Sequence, residues 1–336
     1  MLRIVYMGTP YFAVPALEAL IEGATPGKVL LEGYEIVTVV TRPDKSAGRG
    51  REIVYSPVKQ TALAHGIPVW QPGSFKKAEN SAALATYNAD LYIVAAFGQI
   101  LPQVVLDQPE YGTLNIHASL LPKYRGADPI AEAILQGETE SGVTIMLLDA
   151  GIDTGPTLLS RSVALTEDET TSSLTTKLAE LGAQALLEVL PQWIAGSIAP
   201  KPQDGLRATH TRMLRKEDGL LHWDKPAAVL ARQVRAYTPW PGSYTHWRGK
   251  LLKVLEAHAL TVEIDTLEQQ VQPGLVSTRE EAGHQVLAIV TGSGFLIVKR
   301  VQLEGKKAMS AEEFLRGYGQ IAGETVGTDV ARPLSG

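Results

Sequence analysis

Two polar runs decide how this chain is read: Asn115-Ile116-His117-Ala118-Ser119-Leu120-Leu121-Pro122-Lys123-Tyr124-Arg125-Gly126, and the later Asp149-Ala150-Gly151-Ile152-Asp153-Thr154-Gly155-Pro156. Each follows a run that predicts a strand, 112–116 for the first and GVTIMLL (142–148) for the second. Polar residues on loops at the ends of buried strands are where α/β enzymes place their chemistry. Asn115 and His117 are two apart, so in extended chain both project to one side. Asp153 has to reach them from a neighbouring loop. Together they supply an amide donor for a developing oxyanion, an imidazole that moves a proton, and a carboxylate that orients it. That set suits attack on a carbonyl carbon. It lacks a side-chain nucleophile, since the chain has no Cys and no Gly-x-Ser-x-Gly elbow, so the attacking group is expected to be a substrate or water. A single His at a strand end is more often structural. The Ser119-to-Pro122 turn, Arg125-Gly126 and the 149–155 loop beside it favour the chemical reading.

Working outward, strands and helices alternate. LRIVYM (2–7) reads as a first strand ending in Gly8-Thr9-Pro10, and 12–21 carries helical periodicity. Further strands are expected at 34–41, 67–70 and 90–96, with helices at 56–64, 80–87, 127–135 and 168–190. This order predicts a Rossmann-like, doubly wound α/β domain on a parallel sheet covered on both faces. The first turn holds one Gly and a Pro, not Gly-x-Gly-x-x-Gly, so neither NAD nor FAD is inferred. Residues 23–33 read as a surface loop. The loop RPDKSAGRGR (42–51) sets Arg42, Lys45, Arg49 and Arg51 against the single Asp44, which suits phosphate contacts or a solvated surface equally. Pro and Gly at 199–205 mark a linker, placing a boundary near 206 between domains 1–206 and 207–336. Beyond it, a basic segment at 207–216 could lie along RNA. A helix at 227–236 and short strands at 250–257, 274–277, 285–291 and 294–303 then predict a small OB-like β-barrel that binds nucleic acid. Trp240, between two prolines, is expected to pack at the domain junction.

Composition bounds the rest. At 336 residues, 45% hydrophobic and 20% charged, the chain is an ordinary two-domain globular protein with no run of eighteen apolar residues. Its first residues read as a strand rather than a leader. Absence of Cys rules out disulfides and thiolate catalysis and fits a reducing cytoplasm. The seven His are scattered without metal-ligand spacing, so no metal is expected. The net charge of −5 is uneven: residues 1–206 carry 14 Lys+Arg against 22 Asp+Glu, a net −8, and residues 207–336 carry 17 against 14, a net +3. A mildly basic second half suits a polyanionic partner, and ordinary surface variation accounts for it as well.

NIHASLLPKYRGADPI (115–130) with GVTIMLLDAGIDTG (142–155) resembles the signature of the folate-dependent formyltransferases. IVYMGTPYFAVPALEAL (4–20) and TPWPGSY (238–244) resemble the branch that acts on methionyl-tRNA. The resemblance spans about residues 1–320, with Ala118 standing where many members have Gly. It implies transfer of a formyl group from 10-formyltetrahydrofolate to the α-amine of methionyl initiator tRNA, by a monomer. It assigns Asn115 and protonated His117 to the oxyanion, and Asp153 to orienting His117. Folate is then expected at Ser119, Leu120, Leu121, Pro122, Phe97, Gly98, Ile100 and Asp149, with Arg125 at the rim unless it serves a structural salt bridge. The tRNA is expected at Arg42, Lys45, Arg49, Arg51, Lys306 and Lys307, with Arg49 foremost. The alternative is a formyltransferase for a small amine such as an amino sugar nucleotide. A hydrolase that uses water in place of the amine would keep the same three residues.

Overall fold

A computed structural model describes residues 1–24, 31, 33–47, 52–261 and 272–327. The chain divides into two compact units, the first comprising 1–130, 139–165 and 173–212, and the second 131–138, 166–172 and 213–336.

The first unit is built on a seven-stranded sheet. Its strands are β1 (Leu2–Gly8), β2 (Tyr34–Val40), β3 (Val69–Trp70), β4 (Leu91–Ala95), β5 (Thr113–His117), β6 (Glu140–Leu147) and β7 (Thr157–Ala164). They lie in the order β7-β6-β5-β4-β1-β2-β3. The first five pair in parallel, whereas β6 runs antiparallel to β5 and β7 antiparallel to β6. The sheet is therefore mixed, which corrects the all-parallel expectation. Strand β7 (TLLSRSVA) escapes sequence reading because it is an edge strand with four of its eight residues exposed, so it shows no continuous apolar run.

Strand register defines the two faces. Val40, Met7, Val94, Asn115 and Met146 lie side by side across β2, β1, β4, β5 and β6. Val40, Met7 and Val94 belong to an apolar cluster with Phe75, Phe97 and Leu101, and Asn115 is the one polar member of that row. A buried amide in an apolar row calls for a reason beyond packing. The opposite face takes the helix Thr171–Ile194, where Leu174, Leu178, Ala179, Gly182, Leu186 and Val189 repeat with helical period and are buried. Gly182 admits the helix closely: a Cβ there would lie 2.8 Å from Ile116 Cγ2. Ile116 thus faces the helix, while its neighbours Asn115 and His117 face the other way.

In the second unit, strands β8 (Ser243–Trp247), β9 (Lys250–Leu260), β10 (Val276–Glu281), β11 (His284–Val290) and β12 (Phe295–Leu303) form an antiparallel sheet in the order β8-β9-β12-β11-β10. Residues 324–327 join its two edges. Val276 N donates to Glu324 O (2.8 Å) and Val326 N to Gly274 O (2.9 Å), while His246 and Gly327 exchange backbone bonds of 3.1 Å. This closes the sheet into the small barrel that the short-strand spacing predicts. The helix Ala311–Tyr318 was not legible in sequence, yet Phe314 lies fully buried in the barrel core. Its ring stacks on Tyr318 at 4.8 Å and meets Trp247 edge-on at 5.9 Å. Ser310 caps the helix, accepting from Glu313 N at 3.1 Å, and the Glu313 carboxylate accepts from Ser310 N at 2.9 Å. Trp240 departs from expectation. The turn that bears it is closed by Gly242 N donating to Tyr237 O (2.8 Å), and its ring stays 54% exposed instead of packing.

Phe314→Ala is expected to destabilise the second unit by about 3–5 kcal/mol and Ser310→Ala by about 1 kcal/mol, read as shifts of the urea midpoint. Equal shifts for the two variants would contradict this packing.

Candidate active site

Strand β5 places Asn115 and His117 on the face away from the long helix, 8% and 6% exposed. Asn115 pairs across to Val94 and Met146, so both flanking backbones are fixed by the sheet. Among the described residues no hydrogen bond engages its carboxamide, which leaves both amide donors for a ligand.

His117 is anchored by its own downstream loop. Its Nε2 lies 3.0 Å from Tyr124 O. A carbonyl oxygen only accepts, so Nε2 carries a hydrogen and donates it. Nδ1 is then the nitrogen turned to the carboxylate, 3.6 Å from Asp153 Oδ1. That separation is an electrostatic pairing rather than a hydrogen bond. Tyr124 reaches this position with φ +59°, and its N–H donates to Thr209 Oγ1 at 2.8 Å.

Asp153 arrives by an unexpected path. Because β6 is antiparallel to β5, Leu147 lies opposite Leu114 and Thr144 opposite His117. The chain therefore leaves β6 roughly 10 Å from His117, at about 3.3 Å per residue, and has to fold back over the Asn115 face. Several contacts hold this return. Asp149 Oδ1 accepts from Gly151 N (3.1 Å) and Thr154 Oγ1 (2.7 Å), and Leu147 N donates to Pro156 O (2.9 Å). Gly155 passes so close to Leu147 that a Cβ would overlap the Leu147 carbonyl oxygen. Asp153 itself sits at φ +52°, and its Oδ2 accepts from Gly126 N at 2.7 Å. One carboxylate oxygen is thus tied to backbone, and the other faces His117.

The expected folate residues fall into three groups. The Ser119–Pro122 turn, with a cis Leu121–Pro122 bond, follows His117 directly. Ser119 is buried and donates its hydroxyl to Lys123 O (2.6 Å), while Leu120, Leu121 and Pro122 are half-buried. Thr144 Oγ1 donates to Ser119 O (2.8 Å) and accepts from Leu121 N (3.1 Å), so β6 fixes the turn. Phe97, Gly98 and Ile100 leave β4 beside β5, where Ala95 pairs with Ile116. The Phe97 ring is buried in the core, Ile100 is 70% exposed, and Gly98 lies at φ +78° under the Arg42 side chain. Asp149 is exposed and holds its loop as described.

Arg125 differs from expectation. It is buried rather than at a rim, and its Nε and Nη2 donate to Gln203 Oε1 at 3.1 and 2.8 Å, so its partner is an amide and not a salt bridge. Gln203 falls within the 199–205 stretch whose composition marks a linker. Its polar character among Pro, Asp and Gly gave no signal.

Of the basic residues, Arg42 is exposed, and Lys45 begins a short strand, Lys45–Ala47, paired with Glu52–Val54. Arg49 and Arg51 lie outside the described residues. At the root of this loop, Lys59 is ion-paired with Asp44 and donates to Gln71 Oε1 at 2.8 Å. Burial disfavours the Asp44 carboxylate, but Lys59 and the Gln71 amide outweigh it and draw its pKa below the ordinary value. Lys306 and Lys307 are exposed on the turn after β12 in the second unit. Among the described residues no cluster of three or more His, Asp or Glu could hold a metal, and no helix is long and apolar enough to cross a membrane.

A mixed sheet presenting an unengaged amide, an anchored imidazole and a tethered carboxylate suits an α/β enzyme that acts on a carbonyl carbon. Comparison with known proteins agrees. Residues 2–190 match the formyl transferase family model and residues 213–319 the formyl transferase C-terminal domain model. The chain is 43% identical over 326 residues to the methionyl-tRNA formyltransferase of Lachnospira eligens, covering 97% of this chain and 100% of that protein. It is 44% identical over 336 residues to the enzyme of that name from a Roseiflexus species, covering 100% and 98%. The chain belongs to the methionyl-tRNA formyltransferase family. Among solved structures, an N-formyltransferase from Helicobacter canadensis in complex with folinic acid and dTDP-3-aminofucose superposes with a TM-score of 0.62 at 18% identity, over 89% of this chain and 98% of that one, a likeness of fold.

Thr144→Val removes a hydroxyl that bonds both Ser119 O and Leu121 N of the Ser119–Pro122 turn. It is expected to lower stability by about 1–3 kcal/mol in chemical denaturation, because Leu121 N–H is left without an acceptor. An unchanged midpoint would contradict this role.

Proposed function

We propose that this chain transfers the formyl group of 10-formyltetrahydrofolate to the α-amine of methionine carried on initiator tRNA, in the cytoplasm. The observation that carries the reading is the convergence of Asn115, His117 and Asp153 on one face of the sheet, in a chain 43–44% identical over its length to methionyl-tRNA formyltransferases. The neutral amine attacks the formyl carbon, forming a C–N bond and a tetrahedral oxyanion. The Asn115 amide and the His117 imidazolium stabilise that oxyanion. Collapse breaks the bond between the formyl carbon and N10 of the folate. The proton lost by the amine passes by way of Asp153 to N10, so charge and atoms balance.

The folate donor fits the half-buried Leu120–Pro122 edge and the segment leaving β4, with Phe97 serving through its backbone rather than its ring. The tRNA is assigned to Arg42, Lys45, Arg49 and Arg51 and, in the second unit, to Lys306 and Lys307. Residues 1–206 take the folate and the aminoacyl end of the tRNA, and residues 207–336 add further tRNA contacts. An amino-sugar formyltransferase shares the overall fold, as the Helicobacter canadensis protein illustrates, but its 18% identity leaves the tRNA reading stronger.

The test is transfer of labelled formyl to methionyl initiator tRNA, run beside free methionine, a charged elongator tRNA and an amino sugar nucleotide. Formylation of the initiator species alone is expected, with its rate falling at least tenfold on Arg49→Ala. Formylation of the sugar, or release of formate without acceptor, would overturn the choice of substrate.

A further inference from the structure

We infer that Gln203 is a positioning residue for the transfer step, setting the Asp153 carboxylate through the backbone that bears it. The inference rests on the proposed role of Asp153.

Every hydrogen-bonding site of the Gln203 amide is used. Its Oε1 accepts twice from the Arg125 guanidinium, at 3.1 and 2.8 Å, and its Nε2 donates to Asp153 O at 2.9 Å and to Gly155 O at 2.7 Å. The orientation of the amide is unambiguous. A guanidinium only donates and a carbonyl only accepts, so a flipped amide would lose all four bonds. Arg125 is followed by Gly126, whose N–H donates to Asp153 Oδ2 at 2.7 Å. The contacts therefore close a ring: Asp153 carboxylate to Gly126 N–H, along the chain to Arg125, through its guanidinium to Gln203, and back to the Asp153 carbonyl. Asp153 is thus held at both its side chain and its backbone, with φ at +52°. A non-glycine residue at such an angle stays there only where its surroundings over-determine it. Arg125 is 7% exposed, so the tie is shielded from solvent screening.

The geometry separates this role from general bracing. Gln203 touches no part of Asn115, His117 or the Ser119–Pro122 turn by hydrogen bond, so its loss moves the carboxylate and leaves Asn115 and that turn in place. Gln203→Glu keeps the acceptor for Arg125 and sets a carboxylate oxygen against the two carbonyls. Gln203→Met keeps the shape and removes every bond.

Both variants are compared with wild type for kcat and KM on methionyl initiator tRNA and on 10-formyltetrahydrofolate, with melting temperature and with 15N resonances of the histidine-labelled protein. Expected is a fall in kcat of at least tenfold, KM for both substrates within twofold, and a displaced His117 ring signal as Asp153 moves away. Three results would overturn the inference: kcat within twofold of wild type, a loss confined to KM, or a loss of kcat with the His117 signal unmoved. Failure of both variants to fold would also overturn it, since Gln203 would then be a structural brace. Inactive wild type would refute the choice of reaction instead, and the His117 signal would still report on the ring of contacts.

Discussion

The arrangement of this site depends on one pairing: β5 meets β6 antiparallel. In a purely parallel sheet both polar loops would emerge at the same carboxyl edge, and the second would lie beside the first. Here Leu147 ends opposite Leu114, so the 148–156 segment leaves at the far edge and returns across the Asn115 face. That return carries Asp153 over His117. It also explains why the segment needs Gly155 against the Leu147 carbonyl, and why Asp149 spends its carboxylate on Gly151 and Thr154 rather than on solvent.

Burial then sets the electrostatics. Asn115 sits in a row otherwise made of Val40, Met7, Val94 and Met146, and His117 follows two residues on along the same strand face, buried in turn, where charges and dipoles act with little screening. An unpaired carboxylate beside such a row would be costly, and Asp153 avoids that through the Gly126 N–H. His117 is held by the Tyr124 carbonyl, not by Asp153, which frees the carboxylate oxygen at 3.6 Å to act in proton movement. The helix behind the sheet contributes rigidity: at Gly182 it rests on Ile116, the residue between Asn115 and His117.

Much of this was legible in the sequence. The apolar runs 2–7, 34–41 and 90–96 announced buried strands, and Asn115-x-His117 placed two polar groups on one face by strand alternation alone. Short-range periodicity could not reveal strand direction, so the antiparallel turn of β6 and the exposed edge strand β7 were missed. The barrel's first strand, SYTHW, alternates buried and half-buried residues without a strong apolar signal, and the helix Ala311–Tyr318 has only two apolar anchors, Phe314 and Leu315, beyond its alanine. Gln203 illustrates a different limit. Its importance lies in four bonds to residues 48 to 78 positions away, and nothing local marks it.

The most direct test of the account is a single-turnover measurement of formyl transfer to methionyl initiator tRNA by Asp153→Asn, under saturating donor and acceptor. The asparagine still accepts from Gly126 N–H through its carbonyl oxygen, so the loop keeps its tether while the charge is lost. The account requires the chemical step to slow by about 10²-fold or more with substrate binding preserved, in line with general acid–base contributions. A single-turnover rate within a few-fold of wild type would show that transfer proceeds without this carboxylate, and would contradict the reading of the site.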